Sequence, residues 1–134
     1  MSEGIAAPKD IVLSAIKALT EARYSDYLDH LAEDVRFYTI GSTPYSGLIV
    51  GRQAVWDKVL GKTSKSIGEG GYREEIRNVI CEGDLVVVES RGFETMTGGG
   101  EYNNEYAAIY RVSGGKISEL TFYLDTDLLV RSGK

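Results

Sequence analysis

The chain of 134 residues holds one cysteine, one histidine and two prolines, and no run of basic residues. Cys81 alone excludes an internal disulfide and leaves no thiolate metal set. Beside Val79 and Ile80 it reads as a strand thiol. His30 alone excludes His-pair catalysis and His-rich metal sites; off the apolar face of Tyr27-Leu28-Asp29-His30-Leu31, it reads as a solvated helix residue. With a net charge of −5 and no Lys/Arg cluster, the surface repels nucleic acid and anionic lipid at long range, so neither is an expected partner. No apolar run approaches the ~18 residues of a membrane span. A basic segment followed by an apolar one is also missing from the N-terminus, so the expected location is cytoplasmic. Nothing calls for a metal or a cofactor.

What is present is ordinary globular material, 43% hydrophobic and 26% charged, long enough to bury one core. The expectation is a single domain over residues 1–134 with a core of about 8–130. Pro8-Lys9-Asp10 opens a helix whose Ile11, Val12, Ala15, Ile16 and Leu19 share one face. A second short helix carries Tyr24, Tyr27, Leu28 and Leu31 and ends at Glu33-Asp34. Residues 35–40 alternate as a strand, and Gly41-Ser42-Thr43-Pro44 with Ser46-Gly47 marks a loop. Gly51-Arg52-Gln53 starts a third helix through Val55, Trp56, Val59 and Leu60. The Gly/Ser/Lys-rich stretch 61–71 predicts a mobile loop.

From residue 72 the pattern becomes four long strands, 72–81, 85–95, 102–112 and 116–124, joined by glycine-bearing turns. Antiparallel strands of this length curl. The fold class is therefore α+β: a strongly curved, mainly antiparallel sheet with three N-terminal helices in its concavity. Period 2 puts Val86, Val88, Ser90 and Gly92 on one face with Asn104, Tyr106, Ala108, Leu120 and Phe122, taken as the concave face. Glu89, Arg91, Glu105, Arg111, Glu119 and Tyr123 fall on the other.

The phrases Leu31-Ala32-Glu33-Asp34-Val35, Gly51-Arg52-Gln53-Ala54-Val55, Glu82-Gly83-Asp84 and Gly115-Lys116-Ile117 through Tyr123-Leu124-Asp125 together resemble SnoaL-like and ketosteroid-isomerase-like proteins of the nuclear transport factor 2-like superfamily. The resemblance covers about residues 8–130. It implies a cone-shaped half-barrel, a mostly apolar pocket for a small hydrophobic molecule, and a homodimer formed through the outer sheet face. It does not carry the relatives' chemistry. The ketosteroid isomerase base falls on Thr39 or Tyr38, its tyrosine on Ala15 and its second acid near Ala108. The epoxide hydrolase acids and arginine fall on Gly92, Ser90 and Phe122, and the water-holding groups on Phe37 and Thr39. The function implied is a small-molecule pocket protein, an isomerase, cyclase or hydrolase of a small carbonyl or cyclic compound. Alternatives are a non-catalytic carrier of a hydrophobic ligand and a dimeric protein-interaction module.

Glu74 is the first candidate for catalysis, because it shares strand parity with Ile76 and Ile80, the expected inward residues. A carboxylate facing an apolar pocket has its pKa raised into the range of a general base or acid. The competing reading leaves it at the rim, solvated or paired with Arg73 or Arg77. Asn104 and Tyr106 follow, as two polar groups on one strand able to hold a carbonyl or oxyanion, or else to satisfy neighbouring groups. Phe37, Tyr38, Thr39, Trp56, Val88, Ser90, Ala108 and Phe122 are the expected ligand-lining residues. Asp125 suits the N-cap of a short closing helix.

Overall fold

The computed structural model describes residues 6–132, apart from the side chains at positions 69 and 70; residues 1–5 and 133–134 of the expected domain lie outside the described residues. In chain order the elements are α1 (Pro8–Thr20), α2 (Tyr24–Asp29), β1 (Leu31–Thr39), β2 (Gly47–Val50) and α3 (Arg52–Val55). A π-helical turn (Trp56–Leu60) and α4 (Gly61–Ser66) follow, then β3 (Ile67–Glu82), β4 (Leu85–Met96), β5 (Glu101–Ser113), β6 (Lys116–Leu124) and α5 (Thr126–Arg131).

The six strands form one sheet in the order β2-β1-β6-β5-β4-β3. Every neighbouring pair is antiparallel except β1 with β6. Pro8 starts α1, where its missing N–H costs nothing. The α1 face bearing Ile11, Val12, Ala15, Ile16 and Ala18 is buried and packs across β3, β4, β5 and β6. Together with Leu31, Val35, Val86, Val88, Ile117 and Leu120 it forms the core inside the curved sheet. The result is the expected α+β cone. No described helix is long and apolar enough to cross a membrane.

Three local expectations fail. The stretch 61–71 is not a loop but α4 and the start of β3. Its order comes from distant partners that composition cannot display: Thr97 donates its N–H to Ser66 O at 2.7 Å and its hydroxyl to Lys65 O at 3.1 Å, and Ile67 pairs with Met96. The second helix ends at Asp29 rather than at Asp34, because Leu31 enters β1 and pairs with Ile117, whose N–H bonds His30 O at 2.8 Å. Strand β2, hidden in four residues after a turn-rich segment, pairs with β1 from Arg36–Val50 to Thr39–Gly47.

Candidate functional site

The inner face of the sheet is built in cross-strand rows. Val86, Tyr110, Leu120 and Phe37 lie side by side on β4, β5, β6 and β1, and the next row is Val79, Val88, Ala108 and Phe122. These rows are apolar apart from one phenol. Phe122 lies 5.2 Å from Phe37 and 6.3 Å from Tyr106, ring centre to ring centre, in the tilted geometry aromatic pairs favour. Thr39 is half-buried beside Phe122. Trp56 is half-buried on the helical wall, against Tyr24 at 6.2 Å.

Further along, the rows turn polar: Ser90 beside Tyr106, then Glu74, Gly92 and Asn104, then Tyr72, Glu94 and Tyr102. Tyr72 Oη donates to Glu74 Oε1 at 2.8 Å. Burial raises the pKa of the Glu74 carboxyl above its ordinary range, and hydrogen bonds from Tyr72 and Ser90 oppose that rise without cancelling it. The phenols of Tyr27, Tyr72, Tyr106 and Tyr110 are all pushed well up, first by burial and then by neighbouring charge and phenols, with Glu74 among the contributors in each case. They therefore stay protonated, and the Tyr72 and Tyr106 hydroxyls hydrogen-bond Glu74 and Tyr102. What this end of the cone can do chemically is exchange a proton at one carboxyl while fixed hydroxyls hold a polar group.

Several expected site residues lie elsewhere or are otherwise engaged. Tyr38 does not line the inner face. It is 39% exposed and pairs with Leu48 and Thr121 on the outer side; with side chains alternating, neighbours Tyr38 and Thr39 cannot both point inward. Asn104 is on the inner face and only 1% exposed, but its amide is used up by the fold. Its Nδ2 donates to Tyr102 Oη at 2.7 Å and to Asp125 O at 3.1 Å, and its Oδ1 accepts from the N–H groups of Glu105 and Asp125. It ties β5 to the start of α5, so the role of free polar anchor is withdrawn. Tyr106 stays beside Ser90 and hydrogen-bonds Tyr102.

Ile80 is not inward. A bulge between Ile76 and Asn78 reverses the alternation on β3, leaving Ile80 64% exposed and turning Val79 to the core. Glu74 precedes the bulge, and its parity holds. Glu94, 4% exposed, is an inner-face acid that sequence reasoning missed. Its signal was available, since it continues the alternation Val86, Val88, Ser90, Gly92 by one step. Its charge contributes to the raised phenol pKa values of Tyr24, Tyr102 and Tyr106 after burial. Asp125 caps α5, accepting from Leu128 N–H at 3.0 Å.

Two surface clefts lie away from these residues. One, of about 760 Å³, is lined by Ile11, Asp29, His30 and the Gly114-Gly115-Lys116 turn. The other, of about 480 Å³, lies between Ile67-Gly68 and residues 95–99. Among the described residues, no group of three or more His, Cys, Asp or Glu side chains gathers as metal ligands.

A curved, unclosed sheet wrapped around helices, its inner rows apolar and then polar, is the cone-shaped α+β arrangement. Residues 12–120 match the SnoaL-like domain, and the chain belongs to that family. Among solved structures, an NTF2-like protein from Burkholderia thailandensis E264 is 18% identical over 96% of this chain and 98% of that one, with a TM-score of 0.81. TerC, crystallised with polyporic acid, is 18% identical over 93% and 97%, with a TM-score of 0.76. A loop-truncated variant of IdmH is 15% identical over 96% and 100%, with a TM-score of 0.72. At such identities the likeness is one of fold. No curated protein sequence matches the chain significantly.

Proposed function

We propose that the chain, as one cytoplasmic domain with its core at about 8–130, binds a small, mainly apolar molecule against the inner face and acts on it by acid–base chemistry. The reaction class is isomerisation, cyclisation or hydrolysis of a small carbonyl or cyclic compound, with no cofactor or metal taking part. Glu74 is the proton carrier, Ser90 and Tyr106 hold the polar group, and Phe37, Val88, Ala108, Phe122, Thr39 and Trp56 form the wall. The observation that carries this reading is the Glu74 carboxyl, buried enough to raise its pKa yet held by a phenol at 2.8 Å. A proton carrier works best with a pKa near the working pH. A thermal-shift screen of steroid-like, terpenoid and polyketide compounds finds binders by mass action. On a compound that is turned over, Glu74→Gln is expected to lose about 10²–10⁴ in rate; unchanged turnover overturns the role.

The full engagement of Asn104, with Thr39, Ala15 and Ala108 standing where relatives carry acids and a tyrosine, favours a second reading: a carrier that holds its ligand unchanged. Native mass spectrometry after long incubation separates the two, since a carrier returns the compound intact.

The partner protein in either case is a second copy of this chain, docked on the outer face. Leu48, Tyr38, Thr121, Ile109, Val87 and Ile80 form one row across all six strands. Polar pairs flank it, Arg111 with Glu119 on one side and Asn78 with Glu89 on the other. An apolar centre with a charged rim suits a protein interface. Sedimentation velocity is expected to give a dimer for the parent chain and a monomer for Ile80→Lys; a monomeric parent at tens of micromolar sinks the idea.

A further inference from the structure

Gly92 is the one inner-face position of β4 between Val86 and Glu94 that lacks a side chain, and two rings lie directly on it. A Cβ built there would stand 2.8 Å from Tyr72 Oη, 2.9 Å from Tyr72 Cε1 and 3.1 Å from Tyr106 Cε2. Two of these distances are shorter than carbon atoms tolerate, so no other residue could occupy the position with Tyr72 where it is. Lying there, Tyr72 covers the Gly92 backbone and holds the Glu74 carboxyl through its hydroxyl.

The two ends of this contact are anchored differently. From Tyr72 onward, β3 runs in register with β4, with Glu74 opposite Gly92. Between Ile67 and Tyr72 the register shifts, and Gly71, immediately before Tyr72, has φ +70°, a conformation that side-chain-bearing residues rarely adopt. Tyr72 thus sits on the last regular rung next to a break in the ladder. Ladder pairing therefore holds the Tyr72 backbone from one side only, while Glu74 is paired on both sides two residues further in. The neighbouring Tyr106 ring is held instead by Phe122 and Tyr102.

We infer that Tyr72 is a gate over the inner site: its ring covers the shelf on Gly92 that a ligand takes, and it swings off to let the ligand reach Glu74. This rests on the proposed use of the inner face and adds the step that controls entry. Opening gives up the hydrogen bond to Glu74 and the burial of one ring, so the open form is a minor population of roughly 0.1–10%. Apparent affinity falls by that fraction.

The test uses the full-length chain and Nile red, a neutral apolar dye, in stopped-flow fluorescence. With the parent protein the binding rate is expected to level off as dye concentration rises, because opening becomes limiting. With Tyr72→Ala the rate should rise linearly and affinity should increase about tenfold or more. Gly92→Ala, which puts a methyl where the ring rests, should raise the limiting binding rate without a gain in affinity, since the methyl also takes part of the shelf, and Tyr72→Phe, which keeps the ring without its tether, should raise the plateau. These two variants keep the test intact should Tyr72→Ala fold poorly. Equal rates and affinities in parent and variants overturn the gate and leave the inner-face site standing. Dye bound by none of them overturns both. Binding that Ile80→Lys abolishes and the Tyr72 and Gly92 variants leave alone places the dye on the outer face and overturns the gate as well.

Discussion

The inner and outer faces of this sheet are made by the same strands, residue by alternate residue, yet they answer to different physics. On β4, Val86, Val88, Ser90, Gly92 and Glu94 are all buried, while Glu89 between them is exposed. The inner face reaches from apolar rows under α1 to a polar end of phenols and carboxyls. The outer face sets one apolar row among ion pairs such as Arg77–Glu105 at 3.0 Å and Arg111–Asp84 at 3.0 Å. Exposed pairs of this kind add little stability. The difference teaches that burial, and with it stability, resides inside the cone; the proposed ligand chemistry draws on that inner face and the proposed self-association on the outer one.

The contrast can be broken most forcefully at Leu120. Leu120 is fully buried between Tyr110 and Phe37, and Leu120→Ala is expected to cost about 2–5 kcal/mol, read by urea denaturation. Ile80→Lys on the outer face should leave the stability of the folded monomer within about 0.5 kcal/mol, since that side chain buries little by itself. A loss as large as that of Leu120→Ala would dissolve the distinction between the faces.

The smallest effect sharpens the contrast within the inner face. Burial raises the pKa of Glu74 in the folded chain above its ordinary value of 4.5, so the folded state binds this proton more tightly than the unfolded state. The contribution to stability is then fully present below about pH 4.5 and is lost as pH rises through the folded value. Glu74→Gln keeps an acceptor for Tyr72 and removes the titration. Its stability is therefore expected to match the parent in acid and exceed it at pH 8, measured by thermal melts across that range. A variant equally or more destabilised at pH 8 than at pH 4 contradicts a desolvated carboxyl.

Much of this was legible in the residues. Strand β6 was read to its ends and β4 and β5 to within one residue, because long alternating segments punctuated by glycine turns admit few other structures. The Asp125 cap followed from local rules; Glu74 shares its row with the inner-face Gly92, as parity with Ile76 suggests, although Ile80, the other residue it was matched to, faces out. The failures share a cause. The bulge after Ile76 that exposes Ile80, the pairing of Ile67 with Met96 that orders part of the 61–71 stretch, and the bonds that consume Asn104 all depend on residues far along the chain. Glu94 and Tyr38 are different, since alternation along their own strands places the first inward and the second outward.

The sequence by itself determined α1, the long strands β4, β5 and β6 with their two faces, and the absence of His-pair and paired-cysteine chemistry, because these follow from residue type and from spacings of two and three to four. Only the tertiary structure decided that Glu74 meets a phenol, that Tyr72 lies on Gly92 and that Asn104 is spent on the α5 junction. Those depend on which rows come into register when the sheet curls, and register is a property of several strands at once.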